Sequence, residues 1–375
     1  MAQLDHSPDS SSGFNLLEWV GSQLGRIAVS LLVPAILFVV LWQGFIFLRD
    51  SEAPQSLIAI IAIVWGVGGA AALYFVSNWV IERMGPEWTR RLQPFVFVGP
   101  AMAILAWYLA IPTLRTLWLS LFNRTSTEFV FLDNFIDIFT DPNLLIVFRN
   151  NLLWIVFGAS FSVILGLLIA VLADRSRYES LAKSLIFLPM AISFVGAGVI
   201  WNFIYVVKDI SAPQIGLLNA IWVGLGGQPQ AWTALLQPWN NLFLIIIVIW
   251  LQTGYAMVLF SAAIKGIPSD LLEAARVDGA TEVQVFFRIM IPYIWGTIIT
   301  VATTIVIFTL KIFDIVLVMT GGQFGTEVIA TAFYRQNFTN RNFGLGSAIA
   351  IVLLLLVTPV MIYNLRKFGE EEAFE

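Results

Sequence analysis

Eight apolar stretches, each long enough to cross a bilayer, constrain this chain more than any other feature of its sequence. A membrane helix needs roughly 20 predominantly apolar residues to cross about 30 Å of hydrocarbon. Hydrophobic residues make up 59% of the chain and charged residues 12%, whereas soluble domains are about half apolar and about a quarter charged. The sequence therefore predicts an all-α, polytopic membrane protein with about eight transmembrane helices. The predicted spans are 27–48, 57–80, 95–119, 151–173, 184–206, 242–264, 293–319 and 343–364.

The residue types that the chain lacks exclude several kinds of site. There is no Cys and one His, His6, so the sequence offers no thiol nucleophile, thiolate ligand or histidine cluster. It also lacks the G-x-x-x-x-G-K-[ST] loop that cradles phosphates. The net charge of −4 is spread over loops and acidic ends, which argues against nucleic acid as a partner. We therefore expect no catalytic residues, no metal site and no cofactor bound by this chain.

The loops between the predicted spans form two alternating sets, and one set holds twice as many Lys and Arg residues as the other. The richer set, which includes both termini, holds Arg26, Arg83, Arg90, Arg91, Arg175, Arg177, Lys183, Lys265, Arg276, Arg288, Arg366 and Lys367. The poorer set holds Arg49, Arg124, Arg149, Lys208, Arg335 and Arg341. Because cytoplasmic loops are enriched in Lys and Arg, the pattern predicts that both termini and the 265–292 loop are cytoplasmic.

The 265–292 loop has a helical pattern of its own. Ser269 is a good N-cap for a first short helix, and Gly279 is placed as the C′ glycine that ends it. Thr281 opens a second helix, and Gln284 three residues later completes a capping box. The sequence thus predicts a helix–glycine–helix elbow, which suits either an amphipathic interfacial turn or a docking element for a partner.

The residues of this elbow resemble the EAA loop of ABC importer permeases. In that family the elbow is the coupling helix, which sits in a cleft of the nucleotide-binding subunit. The resemblance implies a coupling role for Glu273, Ala274, Ala275, Asp278, Gly279, Ala280, Phe286 and Pro292.

Three further segments resemble carbohydrate permeases of the maltose and glycerol-phosphate type. They are the "FxGLxNF"-like Phe129–Phe135, in which Phe131 replaces the usual Gly, the "FD…LTGGG"-like Phe313–Gln323, and the eighth-span start Phe343–Ala348. The finer likeness is to the α-glucoside branch. It implies an ABC importer type I permease fold, with a six-helix core plus two N-terminal helices. The implied segments are a cytoplasmic tail 1–25, a two-helix extension 26–93, a transmembrane domain 94–368 and an acidic cytoplasmic tail 369–375.

The same resemblance implies a function and a set of partners. The chain would be one permease subunit in a bacterial inner membrane, translocating a di- or oligosaccharide or an α-glucoside. Its partners would be two ATPase subunits that bind ATP and Mg, a second permease subunit, most simply a different one, and a periplasmic sugar-binding protein, all set in a lipid bilayer. A glycosidic osmolyte such as glucosylglycerol, sucrose or trehalose is the alternative substrate. A secondary transporter is the alternative class, although mid-span carboxylates for ion coupling are missing from the sequence.

Polar and aromatic residues within the spans are candidates for a sugar path, because polar groups at membrane depth are costly and mark function. Each has a structural alternative: Trp residues anchor helices at the membrane interface, Asn151 caps a helix, Lys311 pairs with Asp314, and Gln252 bonds a neighbouring helix. The candidates are Gln252, Tyr255, Trp250, Thr304, Phe308, Lys311, Asn151, Trp201 and Asn202.

Overall fold

The structure, a computed structural model, describes the backbone of residues 16–83 and 86–372 and the side chains of 32–83 and 86–366. Helices dominate these residues, and their one extended pairing is an isolated antiparallel bridge between Phe122 and Phe129. The outermost parts of the two predicted tails, residues 1–15 and 373–375, lie outside the described residues. The chain divides into two compact units, residues 1–113 and 114–375.

Unit 1 is built from long apolar helices. Helix α1 covers Leu16–Asp50, α2 covers Gln55–Glu82, and α3 covers Pro86–Leu119 and runs past the unit boundary. The described side chains of this unit are largely exposed, and many of the exposed ones are large and apolar, such as Phe75 at 77%. Such a surface is stable in lipid rather than in water, in agreement with the prediction that α1 and α2 span a membrane.

Unit 2 holds the remaining helices. They are α4 (Asp133–Thr140), α5 (Pro142–Asp174), α6 (Glu179–Ala191), α7 (Phe194–Tyr205), α8 (Leu217–Gly224), α9 (Trp239–Lys265), α10 (Ser269–Val277), α11 (Glu282–Tyr293), α12 (Trp295–Leu310), α13 (Asp314–Met319), α14 (Ile329–Tyr334) and α15 (Phe343–Glu372). Helix α9 is the central element, because its buried side chains contribute to two of the four apolar clusters of this unit. It packs along α5.

The number of membrane crossings agrees with the prediction. Six helices in the described part of the chain are long and apolar enough to cross a membrane, and two bent helix pairs raise the number to eight. The fold class, an all-α polytopic membrane protein, is therefore confirmed.

Two predicted spans are broken rather than continuous, which corrects the sequence-based boundaries. Residues 184–206 form α6 and α7, which meet at an angle of 103°. The bend follows Pro189, and Ser193 begins α7 as an N-cap whose hydroxyl accepts a hydrogen bond from the Gly196 backbone N–H at 3.0 Å. In the predicted span 293–319, α12 meets the preceding α11 at 71° and ends at Leu310.

Candidate functional site: the elbow and the mid-span cavity

The loop 265–292, here called the elbow, has the predicted helix–glycine–helix geometry. Gly279 follows α10 with a φ of +83°, a left-handed conformation that favours glycine. The Gly279 N–H donates to the Arg276 carbonyl at 3.1 Å, and the Ala280 N–H donates to the Ala275 carbonyl at 3.0 Å. These two bonds form a Schellman motif, so the expected C′ glycine is confirmed.

The second helix of the elbow begins with the predicted capping box. The Thr281 hydroxyl accepts from the Gln284 backbone N–H at 3.3 Å, and the Gln284 side chain accepts from the Thr281 backbone N–H at 2.8 Å. The prediction for the first helix was wrong in one detail. Ser269 is its first helical residue, and the preceding residue, Pro268, occupies the N-cap without a side-chain bond. The fixed φ of proline orders this entry instead.

The elbow packs one apolar face against the rest of unit 2 and exposes its other, more polar face. Ile267, Val285 and Met290 are buried, and Leu272 and Ala275 pack against them. Of the EAA-like residues, only Ala275, Ala280 and Phe286 contribute to this packing. The others are exposed, namely Glu273, Ala274, Asp278, Gly279 and Pro292, together with Val277 at 87%. The elbow therefore offers an exposed surface of carboxylates and small apolar groups.

Ion pairs connect the elbow to neighbouring helix ends. The Glu282 carboxylate accepts from Arg276 at 2.8 Å and from Arg175, which follows α5, at 2.6 Å. Lys265 pairs with Glu179 at the start of α6. A less exposed group lies beside these pairs: Lys183 contacts Asp174, Glu179 and Ser261. The ends of α5, α6 and α9 therefore meet the elbow in one network of charges.

A cavity of about 480 Å³ in unit 2 is lined by side chains of α6, α7, α9 and α12. It is lined by Met190, Ile192, Ser193, Phe194, Leu251, Gln252, Tyr255, Thr304 and Phe308. Gln252 is the central residue of α9 and is 6% exposed. Its side-chain amide and the Tyr255 hydroxyl have no hydrogen-bond partner among the described residues. Because both residues line the cavity, these groups are available to a polar ligand there.

Four of the nine predicted path residues meet at this cavity, namely Gln252, Tyr255, Thr304 and Phe308. Trp201 and Trp250 instead pack against each other with ring centroids 5.8 Å apart, in the apolar cluster around α7 and α9. Asn202 is exposed, and its amide lies 3.5 Å from the Val318 carbonyl.

Lys311 and Asn151 also lie away from the cavity lining. The expected helical stripe from Thr304 to Lys311 is interrupted, because α12 ends at Leu310. Lys311 is exposed, and it makes no ion pair with Asp314, so that expected pairing is wrong. Asn151 lies inside α5 rather than at its cap. It donates to the Leu310 carbonyl at 3.1 Å and accepts from the Ile329 N–H at 2.7 Å.

The sequence reasoning missed a group of buried amides around Asn151. Asn150, Asn240 and Asn241 are each 0% exposed. Asn150 donates to the Gly325 and Glu327 carbonyls at 2.7 and 2.8 Å. Two adjacent Asn pairs at the starts of apolar helices, Asn150-Asn151 and Asn240-Asn241, were the available signal, because buried amides need partners. These residues lie at the end of unit 2 opposite the elbow, here called the far end, since α5 and α9 both end at the elbow.

Broken apolar helices beside a cavity, with a charged elbow at one end, are typical of the transmembrane part of a transporter. A family model described as "Binding-protein-dependent transport system inner membrane component" matches residues 162–367, more than half of the chain. The chain belongs to that family and is a permease of an ABC importer, a transport component rather than an enzyme. The alternative class, a secondary transporter, is thereby excluded.

Two curated relatives cover most of the chain. The osmoprotective compounds uptake permease protein GgtC of Synechocystis is 56% identical over 277 residues, which are 74% of this chain and 99% of that protein. The alpha-glucoside transport system permease protein AglF of Rhizobium meliloti is 46% identical over 331 residues, which are 84% of this chain and 98% of that protein.

A solved structure shares the fold. It is the crystal structure of a bacterial alginate ABC transporter in complex with an alginate pentasaccharide-bound periplasmic protein. The TM-score is 0.64 at 20% identity, over 74% of this chain and 94% of that one.

Proposed function

We propose that this permease imports a neutral α-glucoside or a related di- or oligosaccharide through the mid-span cavity. The observation that carries the proposal is the pair of unpaired polar groups, the Gln252 amide and the Tyr255 hydroxyl, in an otherwise largely apolar cavity. A sugar has apolar C–H faces and many hydroxyls, so it suits the Phe308 ring together with amide and hydroxyl groups. The cavity carries no charged side chain that would favour an ionic substrate.

The names of the relatives support two substrate groups within this class. AglF points to α-glucosides, and GgtC points to osmoprotective compounds, for which a neutral glycoside such as glucosylglycerol, sucrose or trehalose is the candidate here. Uptake of labelled trehalose into cells that carry the complete transporter, in competition with each unlabelled candidate, ranks these sugars. Absence of saturable uptake for every neutral glycoside, with saturable uptake of a charged solute, would overturn the substrate class.

The cavity assignment has its own test. Gln252→Leu combined with Tyr255→Phe removes both unpaired polar groups at nearly constant volume. Each lost bond to a sugar hydroxyl costs roughly 1–3 kcal/mol, so sugar uptake should fall at least tenfold while the complex still assembles. Gln43→Leu, an exposed glutamine in α1, is the matched control. Equal uptake by the cavity variant and this control would exclude the cavity as the sugar path.

The proposed partners follow from the family and from the elbow. We place the ATPase on the exposed face of α10, where Glu273 can pair with a cationic group of a nucleotide-binding subunit. Two such subunits would bind ATP and Mg, a second, different permease subunit would complete the pathway, and a periplasmic protein would deliver the sugar. Glu273→Lys should then reduce ATPase copurification severalfold. The same charge reversal at exposed Asp209, at the far end, should leave it unchanged. Normal copurification with Glu273→Lys would remove Glu273 from the contact.

The proposed orientation puts the elbow and both termini in the cytoplasm of a bacterium, on the basis of the Lys and Arg distribution. The chain has no Cys, so single cysteines report the topology. Val277 in the elbow and Leu236 at the far end are similarly exposed, at 87% and 86%. In intact cells a membrane-impermeant maleimide should label Leu236→Cys, and it should label Val277→Cys only after permeabilisation. The reverse pattern would invert the topology.

A further inference from the structure

A second cavity, of about 470 Å³, lies at the far end of unit 2. It differs from the mid-span cavity in chemistry, because its lining is mainly polar. Its side chains come from the start of α5, from the loop before α14 and from the helical segment Arg335–Thr339 that continues α14. We call it the far-end pocket, and its polar and aromatic side chains are Asp141, Asn143, Gln323, Phe324, Glu327, Arg335 and Gln336. Its volume is within the range of small-molecule sites, about 300–1,000 Å³.

Side-chain amides hold residues 322–325, the loop segment that forms one wall of this pocket. The Asn240 amide donates to the Phe324 carbonyl at 2.6 Å, and the Gln237 amide donates to the Gly325 carbonyl at 2.7 Å. Asn150 donates to the Gly325 carbonyl as well. At Gly325, φ is +68° and a Cβ atom would come within 1.7 Å of the Gln237 side-chain nitrogen. The backbone of the loop is therefore fixed by its neighbours, as a preformed binding site requires.

Phe324 is held in a strained conformation at the edge of the pocket. Its φ is +57°, which a residue with a Cβ adopts only at a cost, and its side chain is 57% exposed. Burial of the ring does not explain this conformation, since more than half of the side chain faces solvent. Strain of this kind persists where the surrounding structure imposes it, and it is concentrated at functional sites.

The polar groups of the pocket provide both donors and acceptors. Glu327 is 7% exposed and pairs with Arg335. Burial raises the pKa of the Glu327 carboxyl, and the charge of Arg335 opposes that effect. The Arg335 side chain is 46% exposed. One Asp141 oxygen accepts from the Asn143 backbone and side chain at 2.8 and 3.1 Å. The second Asp141 oxygen and the Gln323 side-chain amide have no partner among the described residues.

We propose that the far-end pocket is a second carbohydrate site, where a neutral sugar binds before it reaches the mid-span cavity. The ring of Phe324 would stack on the apolar face of a sugar, and the amide, carboxylate and guanidinium groups would bond its hydroxyls. The pocket carries two carboxylates and one guanidinium, so it disfavours anions. This inference rests on the proposed import of sugars, and it adds a site that the mid-span cavity does not include.

The test measures direct binding of trehalose to the complete transporter in nanodiscs, without the periplasmic binding protein, by saturation-transfer difference NMR. Phe324→Gly removes the ring while glycine tolerates the positive φ, and Gln323→Ala removes a free amide without touching the backbone. Each variant should weaken one component of trehalose binding, at least tenfold for Phe324→Gly and about threefold for Gln323→Ala. Phe338→Ala, a phenylalanine that is 60% exposed at the same end, is the control and should bind as the unmodified protein does.

The cavity variant Gln252→Leu with Tyr255→Phe separates the two proposals. If the cavity variant removes one component of trehalose binding and Phe324→Gly removes a different one, both sites are supported. If it removes all binding while Phe324→Gly changes nothing, the far-end pocket is not a sugar site, although sugar import stands. A transporter that neither binds nor imports any neutral glycoside fails the proposed function itself. If Phe324→Gly abolishes stimulation of ATP hydrolysis by the binding protein with trehalose binding unchanged, the pocket docks protein, and the carbohydrate site is overturned.

Discussion

The two ends of unit 2 are held by different interactions. At the elbow end the polar contacts are mainly ion pairs: Lys183 with Asp174 is partly buried, whereas the side chains of Glu282 and Arg276 are each 47% exposed. At the far end the contacts are hydrogen bonds from fully buried amides, such as Asn150 and Asn240. Exposed ion pairs contribute about 0.2–1 kcal/mol. Breaking a buried hydrogen bond so that one partner stays unsatisfied costs about 1–3 kcal/mol.

This difference indicates which end can change its packing. The exposed ion pairs of the elbow can separate at a small energetic cost, because their charges are then solvated, while buried Val285 and Met290 keep its apolar face packed. The segments of the far end cannot separate at a small cost, because each buried amide would lose its hydrogen bonds and water would not replace them. A coupling element that follows a partner belongs at the first kind of end, and a preformed ligand site belongs at the second. Substitutions at four positions, three of them with a matched second variant, test this comparison.

The largest effect is expected at the far end. Asn150→Leu leaves the Glu327 carbonyl buried without its donor, so the free energy of unfolding should fall by about 2–3 kcal/mol. Thermal unfolding of the solubilised protein measures this change. The control is Asn202→Leu, because Asn202 is exposed and makes a single long contact. It should shift the free energy of unfolding by less than about 0.5 kcal/mol. Similar stabilities for the two variants would contradict the assignment of the far end as the rigid one.

The next effect is expected at the turn of the elbow. Gly279→Val places a β-branched residue at a φ of +83°, which costs about 1–3 kcal/mol of local strain. We expect sugar uptake to fall at least tenfold while the spans remain inserted, because the angle between α10 and α11 changes. Gly279→Asn is the matched variant, since asparagine tolerates the left-handed region. It should retain most of the uptake. Equal loss in both variants would mean that backbone conformation is not the cause.

A smaller effect is expected at Phe131, in the loop before α4. Its φ is +52°, so the position where the resembling permeases carry glycine is left-handed here. Phe131→Gly removes the strain and the ring, whereas Phe131→Ala removes the ring alone. Phe131→Gly should therefore be more stable than Phe131→Ala by about 1 kcal/mol. Thermal unfolding compares the two variants directly, and a more stable alanine variant would show that strain is absent.

The smallest effect on stability is expected from Glu282→Gln, which breaks the exposed pairs with Arg276 and Arg175. The free energy of unfolding should fall by less than about 1 kcal/mol. Raising the salt concentration should reduce the difference from the unmodified protein, because exposed charges are screened. A loss of several kcal/mol, insensitive to salt, would show that the elbow end is as rigid as the far end.

Local features of the elbow were predictable because their partners are close in sequence. The Thr281 capping box and the Gly279 turn each involve residues within five positions of one another, so residue type and spacing specify them. The sequence analysis missed the bend between α6 and α7, although Pro189 is a typical helix breaker and Ser193 a typical N-cap. An apolar run long enough to cross the membrane outweighed those two signals.

The candidate sites were predictable only in part. Gln252 and Tyr255 share a face of one helix at i and i+3, as do Thr304 and Phe308 at i and i+4. Helical spacing therefore predicted each pair, and packing brought the pairs to one cavity. The role of Asn151 was not predictable, because its partners at Leu310 and Ile329 lie more than 150 positions away. The far-end pocket likewise combines segments that are distant in the chain.

The sequence by itself determined that the protein lies in a lipid bilayer, how many spans it has and where the elbow lies. Each of these depends on composition or on contacts within a few residues, for which spacing along the chain is the relevant distance. Only the tertiary structure decided which polar groups within the membrane are satisfied and which remain free. That outcome depends on which helices become neighbours. The amide of Asn150 is fully used by carbonyls of a distant loop, whereas the amide of Gln252 faces a cavity.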